Sequence, residues 1–216
     1  MAVLSYDNFD YSFEAEWNGE RVQRYGLKPV RTVAPAAQPV TLAELKEHCR
    51  VLHNEDDDQL SAYLEAAIET VDGYSGILGR ALINQTWRLN LREFGGIIRL
   101  PLEPVSSVTS VTYYDSDNAL QTLSTDVYEA FTDARGYAVC LKHGQSWPST
   151  YARPDAVAVT FVAGYGETSA SVPARIRAAI KLHAAFLYQI RETDTTERHT
   201  PTGAYERLLR PLSRVY

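Results

Sequence analysis

Thr86-Trp87-Arg88-Leu89-Asn90-Leu91-Arg92 alternates polar and apolar side chains without a break. A period of two is the mark of a strand with one face buried. Upstream of this stretch the period is helical, and downstream it returns to helical only near residue 173. The chain therefore passes from helices to a sheet and back to a helix. Beyond Arg92, Ile97 to Leu100 is a second short strand, broken by Pro101 and Pro104. Val105 to Tyr113 is β-branched and ends in the Ser116-Asp117-Asn118 turn. Val127–Phe131, Tyr137–Leu141 and Ala156–Val162 continue the pattern. The block at 86–163 predicts a small, mostly antiparallel sheet of five to six strands. Strands do not alternate with helices, which argues against a doubly wound fold.

The preceding helices are signalled by their ends as much as by their faces. Thr41-Leu42-Ala43-Glu44 is a capping box, in which the Thr hydroxyl accepts from the Glu44 N–H and Glu44 reaches back to the Thr41 N–H. Leu42, Leu45, Cys49 and Leu52 follow at helical spacing and predict a helix over 41–52. Glu55-Asp56-Asp57-Asp58 opens a second, over 55–78, with its acidic residues at the positive end of the helix dipole. Leu60, Leu64, Ala67 and Val71 line its face, and Gly79 offers a C-terminal cap. Pro173 suits the first turn of a third helix, 173–191, with Ile176, Ile180, His183, Leu187 and Ile190 as its stripe. The expected fold is α+β: a helical bundle of about three to four helices with an inserted antiparallel β lobe. Residues 1–40 are an N-terminal extension or arm, 41–192 the main domain and 193–216 a C-terminal tail.

The composition is that of an ordinary globular chain, with 216 residues, 45% of them hydrophobic and 22% charged. Lys and Arg number 21 against 27 Asp and Glu, a formal charge of −6. That balance disfavours a general nucleic-acid binder. Cys49 and Cys140 force no disulfide framework and suit a reducing compartment. The first residues lack a secretory pattern, and no apolar run approaches the roughly 20 residues of a membrane span. A soluble protein made inside the cell is expected.

Candidate chemistry is sparse. His48, Cys49 and His53 do not have the spacing of a structural zinc site. Glu55–Asp58 lacks the glycine and twelfth-position Glu of a calcium loop. Gly73, Gly76 and Gly79 end a helix instead of joining a strand to one, and Gly164-Tyr165-Gly166 lacks a third glycine, so both read as turns and not as phosphate loops. No Gly-x-Ser-x-Gly elbow occurs. Cys140 sits in an apolar run with His143 nearby, and His183 lies on an apolar helix face; both suit core positions. No catalytic residue, metal or cofactor is expected, and the protein is not expected to be an enzyme. A competing expectation, from a different class, is a small carbohydrate-binding or hydrolytic β-rich domain using Trp87, Trp147 and the Tyr-rich strands.

The two ends stand out. Tyr6, Phe9, Tyr11, Phe13 and Trp17 lie among acidic residues with no sustained period, followed by Pro29, Pro35 and Pro39. A solvated arm has no use for five aromatics, whereas an arm packed on its own chain or on a neighbour does. At the other end Tyr205, Leu208, Leu209, Leu212, Val215 and Tyr216 are interleaved with Arg207, Arg210, Pro211 and Arg214. Burying six such side chains contributes on the order of 10 kcal/mol, and ordering twelve residues costs a comparable amount. Such a tail either folds back on its own domain or binds a partner weakly per copy and firmly through many copies.

In order and spacing the sequence resembles the head–tail connector, or adaptor, proteins of long-tailed phages and gene transfer agents. The resemblance runs through Pro39-Val40-Thr41-Leu42-Ala43-Glu44-Leu45-Lys46, Arg50-Val51, Glu55–Asp58 and Leu60-Ser61-Ala62-Tyr63-Leu64-Glu65-Ala66-Ala67. It continues in Thr86-Trp87, Leu100-Pro101, Pro104-Val105, Phe161-Val162-Ala163-Gly164-Tyr165-Gly166, Val172-Pro173 with Ile176, Ala178-Ala179-Ile180 and Leu182, and Leu208-Leu209-Arg210-Pro211 with Arg214-Val215. It covers about residues 28–216. What the resemblance implies is a non-enzymatic virion component at the head–tail junction, made in the host cytoplasm. It would form a ring, commonly of twelve copies, beneath the portal protein. The ring would extend the DNA channel and receive a neck or tail-side stopper protein. It also implies that the C-terminal segment docks on the portal; the tail at 204–216 is expected to do so, and its removal to abolish portal binding while leaving the fold and thermal transition nearly unchanged. Tyr6, Phe9, Tyr11, Phe13 and Trp17 then become candidate subunit contacts.

Overall fold

The computed structural model describes residues 28–190 and 203–212. In chain order these form strand β1 (Val30–Val33), helices α1 (Leu42–Cys49) and α2 (Asp57–Val71), strands β2 (Gln85–Leu91), β3 (Ile97–Arg99), β4 (Val105–Tyr114), β5 (Leu120–Thr122), β6 (Tyr128–Asp133), β7 (Gly136–Leu141) and β8 (Val157–Ala163), then helices α3 (Ala174–Gln189) and α4 (Ala204–Leu209). The α+β class with a helical bundle and an antiparallel lobe is as expected from the pattern. The lobe has two sheets, one in the order β1-β2-β8-β4-β5 and one in the order β3-β7-β6.

Local chemistry accounts for the helix ends. The capping box of α1 is formed as drawn: Glu44 N–H donates to Thr41 Oγ1 (3.2 Å), and Thr41 N–H donates to Glu44 Oε2 (2.8 Å). Those bonds favour ionised Glu44 and hold its carboxyl below the usual range. α1 stops at Arg50, whose left-handed φ of 57° turns the chain out and leaves Leu52 97% exposed. α2 begins where the acidic run predicts, with Lys46 Nζ bonded to Asp57 Oδ1 at 2.6 Å.

α2 ends at Val71, short of the expected Gly79. Asp72 leaves the helical conformation (ψ 146°) because its carboxylate is engaged elsewhere. Oδ1 accepts the Leu82 N–H (2.7 Å), and both carboxylate oxygens accept from Gln85 Nε2 (3.0 and 3.1 Å). Gly73 then turns with φ 78° against the Trp87 ring.

The extension is corrected in one part. Residues 30–33, read with the arm, form an edge strand paired antiparallel with β2. Prolines at 29 and 35 bracket a segment too short to show a period of its own.

Two cores result. In the first, Leu45, Leu60, Leu64, Ala67, Val71, Ile176, Ala179, Ile180 and Ala184 join the helices. In the second, Trp87, Leu89, Leu91, Val111, Val157, Val159 and Phe161 fill one sheet face, with Trp87 opposite Phe161 and Leu89 opposite Val159. The segment after α2 joins them: Ala81 lies in the sheet core, and Leu82 and Ile83 lie in the helical core. Gly164-Tyr165-Gly166 is pressed against this segment, with Tyr165 N–H on Leu82 O (3.0 Å) and Asn84 N–H on Gly166 O (2.9 Å). A Cβ at Gly164 would lie 2.4 Å from the Asn84 nitrogen, so this turn is a backbone-to-backbone contact.

Candidate assembly surfaces

The C-terminal segment packs on its own bundle. Gly203, with φ 65°, starts α4. Leu209 is 3% exposed within the helical core, and Tyr205, Leu208 and Leu212 are half-buried against it. The Tyr205 ring lies 5.3 Å from the His183 ring at a 56° tilt. Burial lowers the pKa of His183 from its ordinary value near 6.5 and raises that of the Tyr205 phenol. Arg80 Nε donates to Leu212 O (3.1 Å) while Arg80 Nη2 pairs with Glu103 (3.3 Å), which fixes the end of the segment against the junction of the two cores.

Of the residues expected to reach a partner, Arg207, Arg210 and Pro211 are exposed, and Leu208, Leu209 and Leu212 are covered by their own chain. Leu209 packs within the helical core, so removal of the tail is now expected to lower the thermal transition. Arg214, Val215 and Tyr216 lie outside the described residues, as do Tyr6, Phe9, Tyr11, Phe13 and Trp17. The Arg80 anchor was not legible in sequence, since its acceptor is a backbone carbonyl 132 residues away.

Among the described residues, exposed apolar side chains include two groups close in sequence to candidate contacts. One surrounds the start of the described chain, where Val30, Val33, Tyr74 and Ile77 are exposed. Lys28 Nζ lies 5.8 Å from the Tyr74 ring centre. Beside it is a groove of about 510 Å³ lined by residues 34–39 and by Arg31, Glu65, Ile68, Glu69 and Asp72. Asp72 there is titrated upward by its burial, against the pull of its hydrogen bonds. The other surface is the outer side of α3, where Leu182 and Phe186 are 36% and 44% exposed. Their i, i+4 spacing is visible in sequence but is offset from the stripe that faces the core.

The residues weighed for chemistry lie as follows. Trp87 is in the sheet core, and Trp147 is half-buried and stacked on Phe94 (4.6 Å, 4°), so the two do not line a common concave site. His53 pairs with Glu55. Cys140 Sγ lies 3.9 Å from Glu129, and burial raises its pKa. Among the described residues no cluster of three or more His, Cys, Asp or Glu is placed to hold a metal, and no helix is long and apolar enough to cross a membrane.

Residues 39–119 match the phage gp6-like head-tail connector protein family. The matched region runs from the residues before α1 through β4. The resemblance drawn from the sequence is thus borne out where the capping box, the acidic helix start and the first strands lie. No curated protein matches. Among solved structures, the chain is similar to one from the neck of an empty gene transfer agent particle computed with C6 symmetry. The TM-score is 0.72 at 21% identity, covering 88% of this chain and 97% of that one. It is similar also to a chain of the virion of a native gene transfer agent particle (TM-score 0.70, 22% identity, 87% and 96% covered). A chain from the neck of a native particle computed with C12 symmetry gives TM-score 0.68 at 24% identity, with 88% and 97% covered. The likeness extends over both cores and is one of fold.

Proposed function

We propose that this chain is a structural head–tail connector of a tailed phage or gene transfer agent. Copies of it form a ring under the portal protein, twelve by the family's habit, which extends the DNA channel toward a neck or tail-side stopper. The observation that carries this reading is the match of residues 39–119 to the connector family, supported by a fold shared with chains of gene transfer agent necks that have cyclic symmetry. A ring of this kind uses two different faces of each copy, and the described residues expose large apolar side chains both on β1 (Val30, Val33) and on α3 (Leu182, Phe186). A formal charge of −6 weakens adhesion of DNA passing through a lumen.

The portal contact is assigned to the C-terminal segment in a form the packing allows. Leu208, Leu209 and Leu212 hold the segment to its own bundle, with Tyr205 on His183. The exposed Arg207, Arg210 and Pro211, continued by Arg214, Val215 and Tyr216, face the portal, with the guanidiniums on portal carboxylates. Tyr6, Phe9, Tyr11, Phe13 and Trp17 pack on their own chain or on a neighbouring copy.

The test is co-expression with the portal of the same particle, followed by affinity capture and electron microscopy of the product. Rings seated on the portal are expected. Replacing Arg207 and Arg210 together by Glu is expected to abolish capture without moving the melting temperature, because neither side chain is buried. A chain that stays monomeric and is not retained by the portal would overturn the proposal.

A further inference from the structure

The outer side of α3 carries a second stripe. Arg175, Ala178, Leu182, Phe186 and Gln189 follow one another at three- and four-residue intervals, and Ala185 stands seven residues after Ala178, which places them on one face. Leu182 and Phe186 are exposed, and the partly buried Ala178 and Ala185 lie beside them. The helix is also one-sided in charge. Ala174–Gln189 contains Arg175, Arg177 and Lys181 and no Asp or Glu. Glu44 of α1 answers part of this charge, at 3.6 Å from Arg177, while Arg175 is exposed. A basic, apolar helix face on a chain of net charge −6 calls for an acidic, apolar occupant.

The same chain supplies one. Residues 1–20 hold Asp7, Asp10, Glu14, Glu16 and Glu20 and not one Lys or Arg. The segment as a whole keeps no single period and Tyr11 falls off the line, but Tyr6, Phe9, Phe13 and Trp17 stand at i, i+3, i+7 and i+11, a spacing compatible with one face of an amphipathic helix. The link between segment and domain is long. From Trp17 to Lys28, where the described chain begins, ten intervening residues span up to about 33 Å. α3, with 16 residues, is about 24 Å long.

We infer that the Arg175–Gln189 face of α3 is the docking site for the acidic–aromatic segment Tyr6–Trp17 of this chain. Phe9 and Phe13 meet Leu182 and Phe186, and Asp10 and Glu14 face Arg175 and Lys181. The segment and the helix are matched in sign and in spacing, whether or not the chain enters a ring. The docking therefore stands or falls apart from the portal contact.

The test uses the full chain with Phe13 replaced by photoreactive p-benzoylphenylalanine, irradiated and mapped by peptide mass spectrometry. Adducts are expected on residues 175–189, from the same or a neighbouring copy. Arg175→Glu with Lys181→Glu is expected to cut their yield at least about tenfold, the effect of losing two charge-assisted contacts. Adding Asp10→Lys and Glu14→Lys to that variant is expected to restore it. Asp10→Lys with Glu14→Lys alone, which leaves every residue of α3 unchanged, must also cut the yield, and this keeps the test valid if the helix variant is unstable. Adducts that fall on the Val30–Ile77 surface or elsewhere, no adducts at all, or a yield indifferent to all four charges would overturn the assignment.

Discussion

Leu209→Ala separates a docked C-terminal segment from a free one. Leu209 is 3% exposed and lies with Val40, Leu64 and Ile180 in one core. Truncating a buried leucine removes its transfer free energy and leaves a cavity, together about 2–5 kcal/mol. α4 has only six residues and sits close to the chain end, where local release can relieve part of the loss. We therefore expect a global cost toward the lower end, roughly 2–3 kcal/mol. For a domain of this size each kcal/mol moves the midpoint by about 2–4 °C, so a drop of roughly 5–10 °C is expected by differential scanning calorimetry. Arg207→Ala, on the exposed side of the same short helix, is the control and should stay within about 0.5 kcal/mol of the parent. Hydrogen exchange adds a local readout: the Arg207 amide, bonded to Gly203 O (3.0 Å), should lose protection in Leu209→Ala. If Leu209→Ala behaves like Arg207→Ala in both measurements, the segment is not part of the core and the assignment of its outward face fails with it.

Further outcomes follow from the same contacts. Gly164→Ala would force a Cβ to within 2.4 Å of the Asn84 nitrogen at a φ of 149° and should destabilise by about 3 kcal/mol or more, read by urea denaturation. The pKa of His183 is lowered by burial, so the native state binds fewer protons than the unfolded chain. Its stability contribution is full above its ordinary 6.5 and is lost as pH falls from there through the folded value; His183→Gln should flatten that slope in melts across the window. Asp72 has the opposite sign. Its raised value means that the native state holds the proton longer, so stability falls as pH rises from 3.8 through the folded value, and Asp72→Asn should remove that fall. Thr41→Ala removes one half of the capping box and should cost about 1 kcal/mol by thermal melt.

The elements legible in the sequence are those whose cause is local. The capping box needs four residues, the acidic helix start four, and the alternation from Thr86 to Arg92 seven; each formed as its pattern dictates. What was not legible depends on distant partners. Residues 30–33 become a strand because Trp87 and its neighbours offer an edge 54 residues later. α2 stops at Val71 because Leu82 and Gln85 claim the Asp72 carboxylate. The division of the strands into two sheets is set by which edges pair, and alternation within one strand carries no such information. The tail was ambiguous for a different reason: Leu208, Leu209 and Leu212 would suit a partner's groove as well as their own bundle, and only packing against Ile180 and its neighbours decides between them. On α3 the outer stripe is offset from the core stripe within the same sixteen residues, and apolar spacing alone does not tell which of the two faces the bundle.

Three consecutive residues, Ala81, Leu82 and Ile83, divide their side chains between sheet and bundle, and Gly164 seals that crossing from the far side. No hinge of small, solvated residues separates the halves there. A load placed on the sheet is passed to the helices through peptide units already clamped by hydrogen bonds. The two lobes therefore tilt together, and displacement of either one reorients the Arg207–Pro211 face that Arg80 ties to the same crossing.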